Sequence, residues 1–393
     1  MMIEFDIYQT LAVAVVALLV GEYIKRNSTL MQRFCIPSPV IGGLLFSLLS
    51  LMGYLTGWFE VSFNGQIKEL CMVFFFTSVG FQANMKNLRK GGRGLVLMIV
   101  LVVALILLQN LTAIGVAMGL GIDKLAGMTT GSIPMLGGHG TSGAFGPILE
   151  AMGVKGATTL ATAAATFGLV AGSLIGGPIA ERLIKNRDLL PTASNEEETV
   201  AVKNESPARS TSYMAAAFQL IIAVGLGTFV SAALQLTGLT FPIYIGSMIV
   251  AAIIRNIGES TSKINIPMEA IDDLGNIALS LFLGMAMISL RLWELAELAL
   301  PLLVLLTAQL VLMILFAKFV VFPVMGKDYD AAVMTAGFCG FGMGATPNAM
   351  ANIWAVCMKY RYSAKAFLII PIVGSMFADF INSMLITFFI NVL

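Results

Sequence analysis

A glycine-rich polar run occurs twice in this very apolar chain. Gly137-Gly138-His139-Gly140-Thr141-Ser142-Gly143 lies in the first half, and Gly340-Phe341-Gly342-Met343-Gly344-Ala345-Thr346-Pro347-Asn348 in the second. Laying Thr141 on Thr346 gives an offset of 205 residues. Each run sits between apolar arms of about a dozen residues, short of the roughly 20 that a membrane-crossing helix needs. Backbone unwound at membrane depth is tolerated only where its N–H and C=O groups are buried in protein or line a wet cavity. Two such breaks in matching halves point to the binding site of a secondary transporter.

The rest of the chain fits a membrane setting. Of its 393 residues 58% are hydrophobic and 11% charged, and the mean hydropathy is +0.90. Soluble domains carry about 25% charged residues. A net charge of +1 gives no reason to expect nucleic acid as a partner. Cys35, Cys71, Cys339 and Cys357 show no paired spacing and read as free thiols. One histidine and no metal-ligand cluster argue against a metalloenzyme, and no Ser/His/Asp set or phosphate loop suggests another enzyme class. Met1 to Asp6 contains no Lys or Arg, so the first apolar segment reads as a retained span and not a signal peptide.

Apolar segments fall near 9–26, 39–56, 68–85, 94–120 and 157–182, then near 213–237, 239–258, 271–290, 298–324 and 365–391. The polar stretch 183–212 separates two sets of five and reads as an exposed linker. The broken segments, near 125–152 and 329–357, each lie between the fourth and fifth span of their half. Lys and Arg set the orientation. With the N-terminus outside, 19 basic residues fall on the cytoplasmic side; only Lys68, Lys124, Lys155 and Arg291 fall outside. Both termini are therefore predicted outside and the linker inside.

The offset of 205 recurs. Ile36-Pro37 matches Phe241-Pro242, Gly53 matches Gly258, and Gly121-Ile122-Asp123 matches Gly326-Lys327-Asp328. Thr130 and Gly137 match Thr335 and Gly342. Because each half has an odd number of spans, the second enters upside down. The predicted fold is an all-α polytopic membrane protein of two inverted five-span repeats, residues 1–182 and 213–393, each with a re-entrant hairpin. The hairpins enter from opposite sides, so their tips can meet and aim helix N-termini at a bound anion.

The runs at 137–141 and 165–170, with Gly326-Lys327-Asp328-Tyr329-Asp330-Ala331-Ala332-Val333 and Gly340 to Pro347, resemble the sodium/glutamate symporter family. The resemblance extends from about residue 8 to the C-terminus. It implies sodium-coupled uptake of glutamate across a bacterial inner membrane, ten spans, two re-entrant loops and opposite orientations of the halves. Sodium would be the coupling ion, with no cofactor. Fold analogy with bacterial citrate carriers implies a homodimer with a moving core.

The predicted substrate-binding residues are Gly138, His139, Gly140, Thr141, Ser142, Gly344, Ala345, Thr346 and Asn348. His139 reads equally as a structural hydrogen-bonder or a contact to a substrate carboxylate. Asp379 lies about mid-span, with Asn382 and Ser383 three and four positions on. A carboxylate there costs roughly 2.5–3.5 kcal/mol on insertion scales, so it should face the interior and pair with sodium or an ammonium group. Asp379, Asn382, Ser383 and Asn276 are the predicted sodium ligands. Polar stripes Asn276/Ser280 and Thr77/Ser78/Gln82 line the core or glue helices together. Gly172, Gly176 and Gly177 read as helix-packing positions, Gln109, Asn110 and Gln309 as structural, and Arg291 and Lys86 as interfacial anchors. Two competitors remain: a carrier of another dicarboxylate or hydroxycarboxylate, driven by sodium or protons, and a channel, since re-entrant loops also build filters.

Overall fold

The computed structural model describes residues 2–34, 36–84, 92–189, 210–237, 241–261, 265–293 and 299–393. Cys35, Lys86, Arg89, Lys90, Lys263 and positions 190–209 of the linker lie outside the described residues.

The chain is almost wholly helical. Among the described residues its one sheet is a parallel pair, β1 (Met2–Phe5) on β2 (Glu60–Phe63). Helix α1 (Ile7–Asn27) starts at a capping box: the Asp6 carboxylate accepts from Gln9 N, and the Gln9 side chain accepts from Asp6 N. The short α2 (Thr29–Arg33) leads to α3 (Ser38–Thr56), whose first turn carries Pro39 and whose end is set by Gly57 in the left-handed region. Then follow α4 (Gln66–Gln82) and α5 (Gly92–Gly119).

The first broken segment is α6 (Lys124–Met128), α7 (Ser132–Met135) and α8 (Gly138–Ala151), followed by α9 (Ala157–Asn186). The second half begins with α10 (Ser210–Gln235), α11 (Tyr244–Thr261) and α12 (Met268–Ile288). Helix α13 (Ala299–Phe316) continues through a π turn to Val324. The second broken segment is α14 (Tyr329–Gly342) and α15 (Thr346–Lys359). The last segment is α16 (Ala364–Ile372), a π turn over Val373–Phe377, and α17 (Ala378–Val392).

Among the described residues seven helices are long and apolar enough to cross a membrane, and α16 with α17 makes an eighth as a pair bent by 40°. This is a polytopic membrane protein. The two remaining predicted spans, the third and seventh, correspond to α4 and α11. Helix α4 has only 17 residues, and α11 carries Arg255 and Glu259 near its end. The last segment also differs from the straight span read from its hydropathy. Pro371 removes a helical donor and the π turn follows at once, so Asp379 lies in the first turn of α17 and not in mid-helix.

The helices pack in two groups. Helices α1, α3, α4, α10, α11 and α12 form one. The two broken segments, with α5, α9, α13, α16 and α17, form the other. Small residues let backbones touch inside the first group: a Cβ on Gly42 of α3 would lie 1.7 Å from the Ala17 carbonyl oxygen of α1. Along the seam between the groups, α4 meets α17 and its preceding π turn, and α12 meets α8. Phe145 of α8 stands edge-on to Tyr244 of α11 there, with ring centres 6.1 Å apart.

Candidate functional site

The first break is held open by side chains from other helices. Gly138 adopts φ +60°, which favours glycine, and starts α8. Asn110 of α5 accepts from Ser132 N at 2.8 Å, and Asn382 of α17 donates to the Ser132 carbonyl at 3.0 Å. Gly137 takes no larger residue: a Cβ there would lie 2.3 Å from Thr141 Oγ1 and 2.8 Å from Asn382 Nδ2.

The second break is simpler. Helix α14 stops at Gly342, Ala345 is extended, and α15 begins at Thr346 with Pro347 in its first turn. Asn348 donates to the Leu169 carbonyl and Ser173 Oγ, both at 2.8 Å, and Asn352 to the Gly172 and Ala336 carbonyls. Gly168 lets α9 lie against the break, since a Cβ there would sit 2.3 Å from the Met343 carbonyl oxygen.

The two breaks abut. A Cβ on Gly138 would lie 3.1 Å from the Gly344 carbonyl oxygen. A cavity of about 290 Å³ opens at this point, on the seam. Gly138, His139 and Gly140 line it from one side and Gly344, Ala345 and Thr346 from the other, with Asn276 of α12 and Asp379 of α17. Neither α8 nor α15 has a side-chain cap at its N-terminus. Both helices therefore bring the positive end of their dipole to one cavity, α8 with free N–H groups in its first turn and α15 with little more than that of Thr346, since Pro347 has none and the Asn348 N–H bonds the Ala345 carbonyl.

His139 Nε2 lies 3.0 Å from Thr166 Oγ1, whose hydroxyl donates to the Thr162 carbonyl at 3.0 Å. The single hydroxyl proton is committed, so Nε2 must carry the donated hydrogen. A neutral His139 then keeps Nδ1 as an acceptor.

Eight of the thirteen predicted site residues share this cavity. The other five lie behind its wall. Thr141 packs over Gly137, and Ser142 donates to the Gly138 and Ala161 carbonyls at 2.7 and 3.1 Å. Asn348 is tied to α9, and Asn382 faces the first break instead of the cavity. Ser383 is fully buried next to the Tyr244 hydroxyl. The spacing of Asp379, Asn382 and Ser383 thus separates one cavity residue from two that reach inward.

Sequence reasoning passed over other lining residues, among them Phe75, Leu169, Gly374 and Ser375. Pro371, Gly374 and Ser375 together signal a break in the last segment. Gln82 also lines the cavity, and its side chain donates to Asp272 Oδ1 at 3.1 Å. Of its stripe, Thr77 and Ser78 return their hydroxyls to their own helix, at Val73 and Phe75. Gly172 and Gly176 press on the second broken segment as packing positions do, but Gly177 faces open space. Among the described residues no three His, Cys, Asp or Glu form a metal-holding group.

The geometry has close counterparts in sequence. The family described as sodium/glutamate symporter matches residues 3–362. The sodium/glutamate symporter of Escherichia coli (strain K12) is 39% identical over 396 residues, 99% of this chain and 98% of that protein. That of Shigella flexneri gives the same figures. That of Haemophilus influenzae is 38% identical over 391 residues, 97% of this chain and 96% of its own. The chain belongs to the sodium/glutamate symporter family.

Proposed function

We propose that this protein takes up glutamate with sodium across a bacterial inner membrane by alternating access. One observation carries the reading: two uncapped helix N-termini converge on a cavity that also holds a carboxylate, Asp379. Glutamate has two carboxylates and one ammonium group. Helix N-termini suit the carboxylates; Asp379, Asn276 and His139 Nδ1 suit the ammonium group or sodium. Hard cations favour oxygen ligands. Beside the first break, Asn382 Oδ1 and Ser132 Oγ are buried oxygens with no hydrogen-bond partner. Sodium seated near them and Asp379 would tie the ion to the break that binds substrate. Coupling follows, because each ligand then shapes the site of the other.

The architecture in this reading is two inverted five-span repeats, 1–182 and 213–393, with the broken segments as re-entrant hairpins and the 183–212 linker cytoplasmic. Both termini lie outside. Support comes from the split of 19 basic residues against four, and from element bounds that recur at offsets of 205 to 208 residues. Ser38–Thr56 answers to Tyr244–Thr261, Gly138–Ala151 to Thr346–Lys359, and Ala157–Asn186 to α16 and α17 together. The group holding both breaks moves against the other group along their seam, in a homodimer.

The test is uptake of labelled glutamate into vesicles reconstituted with the pure protein. Accumulation is expected under an inward sodium gradient. Equal accumulation under a potassium or proton gradient alone would refute sodium coupling. Stronger competition by a dicarboxylate without an amino group would shift the reading to that substrate.

A further inference from the structure

The seam holds a second polar cavity, of about 620 Å³, away from the breaks. Lys68 of α4, Arg291 beyond the end of α12 and Lys155 between α8 and α9 stand around it, with Glu150. These are three of the four basic residues that the charge distribution puts outside. They come from three separate parts of the chain, and tertiary packing brings them to one cavity. Glu150 Oε1 accepts from Thr158 N at 2.9 Å, and the Thr158 hydroxyl is buried without a partner. Lys68 also lines two adjoining cavities, and Glu69 lines one of them.

The polar cavity and the tip cavity follow one another along the same helices. On α4, Val79 and Gln82 line the tip cavity and Lys68 the other, with Val79 and Lys68 about 17 Å apart along the axis. On α12 the order is Asn276 and then Ala286, with Ser289 just past its end. An apolar bar lies between them. Phe75 stands against Gly140 and Phe282 against Gly143, where an added Cβ would come within 3.3 and 2.7 Å of the rings.

We infer that the cavity around Lys68, Arg291 and Lys155 is an outer capture site for an amino acid bearing a second carboxylate. It holds the substrate before the Phe75–Phe282 bar parts. The site rests on the transport reading above and extends it. Among the described lining residues three cations face one carboxylate, Glu150, which complements a ligand with two carboxylates and one ammonium group. Attraction by such a cluster raises local anion concentration and capture rate. It needs no sodium, unlike the tip site.

Trp293 lines the small cavity that Lys68 and Arg291 share, and stacks on Tyr54 at 4.2 Å. It is a built-in reporter. With Trp58 and Trp354, the other two tryptophans, replaced by Phe, glutamate is titrated in sodium-free choline buffer against the full-length protein in detergent without anionic lipid. A saturable change in Trp293 emission is expected. Glutarate should elicit it and glutamine should do so more weakly. Arg291→Gln with Lys155→Gln should raise the half-saturating concentration roughly fivefold per charge removed; Arg291→Lys should restore most of it. Asp379→Asn, which disables the tip site, should leave the signal in place. A signal that requires sodium and vanishes with Asp379→Asn would overturn the inference, as would one indifferent to both cations. Uptake by vesicles without this signal would sink the capture site alone, whereas absence of uptake would sink the transport reading.

Discussion

The two breaks look alike in sequence and are built in opposite ways. The first is supported from outside: Asn110 of α5 accepts from the Ser132 N–H, and Asn382 of α17 adds a donor to the Ser132 carbonyl, which also takes the Gly137 N–H of its own segment. The second supports itself outward: its own Asn348 and Asn352 donate to carbonyls of α9 and α14. Only the first needs a left-handed residue, Gly138. A glycine-rich run therefore announces an interruption without fixing how its backbone is satisfied. One break is tuned by distant helices, including the one that carries Asp379. The other is fastened to its neighbour α9.

The largest expected effect comes from Asp379→Asn. The change keeps size and hydrogen bonding but removes the charge that faces both breaks. A charged hydrogen bond is worth roughly 1.5–3 kcal/mol, so half-saturating sodium should rise about ten- to a hundredfold. Normal membrane accumulation with unchanged sodium dependence would take Asp379 out of the site and leave the breaks alone.

Gly138→Ala comes next. Forcing a left-handed alanine costs roughly 1–2 kcal/mol, and its Cβ would press within 3.1 Å of the Gly344 carbonyl. The KM for glutamate should rise several-fold, up to about tenfold. Gly177→Ala is the control, since nothing lies within 4 Å of that position. Equal losses from both would mean that the contact between breaks carries no binding energy.

The contrast in support can be sharpened with Asn110→Ala and Asn352→Ala. Leaving a buried donor or acceptor unpaired costs roughly 1–3 kcal/mol. Asn110→Ala frees the Ser132 N–H at the first break and should weaken glutamate affinity. Asn352→Ala loosens α15 from α9 and should lower the unfolding temperature with less change in affinity. Thermal melts and uptake kinetics on both variants decide this, and a reversed pattern would contradict the comparison.

The smallest expected effect is Gly177→Ala itself. It removes a glycine from inside α9 without a clash, worth about 1 kcal/mol of helix propensity. Uptake should be unchanged and the melting temperature slightly higher.

Much of this was legible beforehand because glycine and polarity interrupt hydropathy in a way that little else does. The breaks at Gly137–Gly140 and Gly342–Ala345 and the apolar helices follow from local chemistry. The bend after Ile372 was missed, since the run around Pro371, Gly374 and Ser375 is apolar enough on average to read as one span. So was the fate of Ser142, Asn348 and Asn382. Helical periodicity sets which face a side chain occupies, but the helices packed beside it decide whether that face meets a cavity or a carbonyl. The charge cluster at Lys68, Lys155 and Arg291 was visible only as three scattered cations, because their meeting depends on tertiary packing.

The central claim, that both breaks frame one substrate site, is tested most directly at Ala345, which lines the shared cavity from the second break. An Ala345→Cys protein on a cysteine-free background is labelled with maleimide in vesicles, alone, with sodium, with glutamate, and with both. The account predicts that glutamate and sodium together slow labelling far more than either alone, and that Gly138→Ala, on the opposite break, moves this protection to several-fold higher glutamate. Protection with the same glutamate dependence in Gly138→Ala, or labelling indifferent to both ligands, would contradict it.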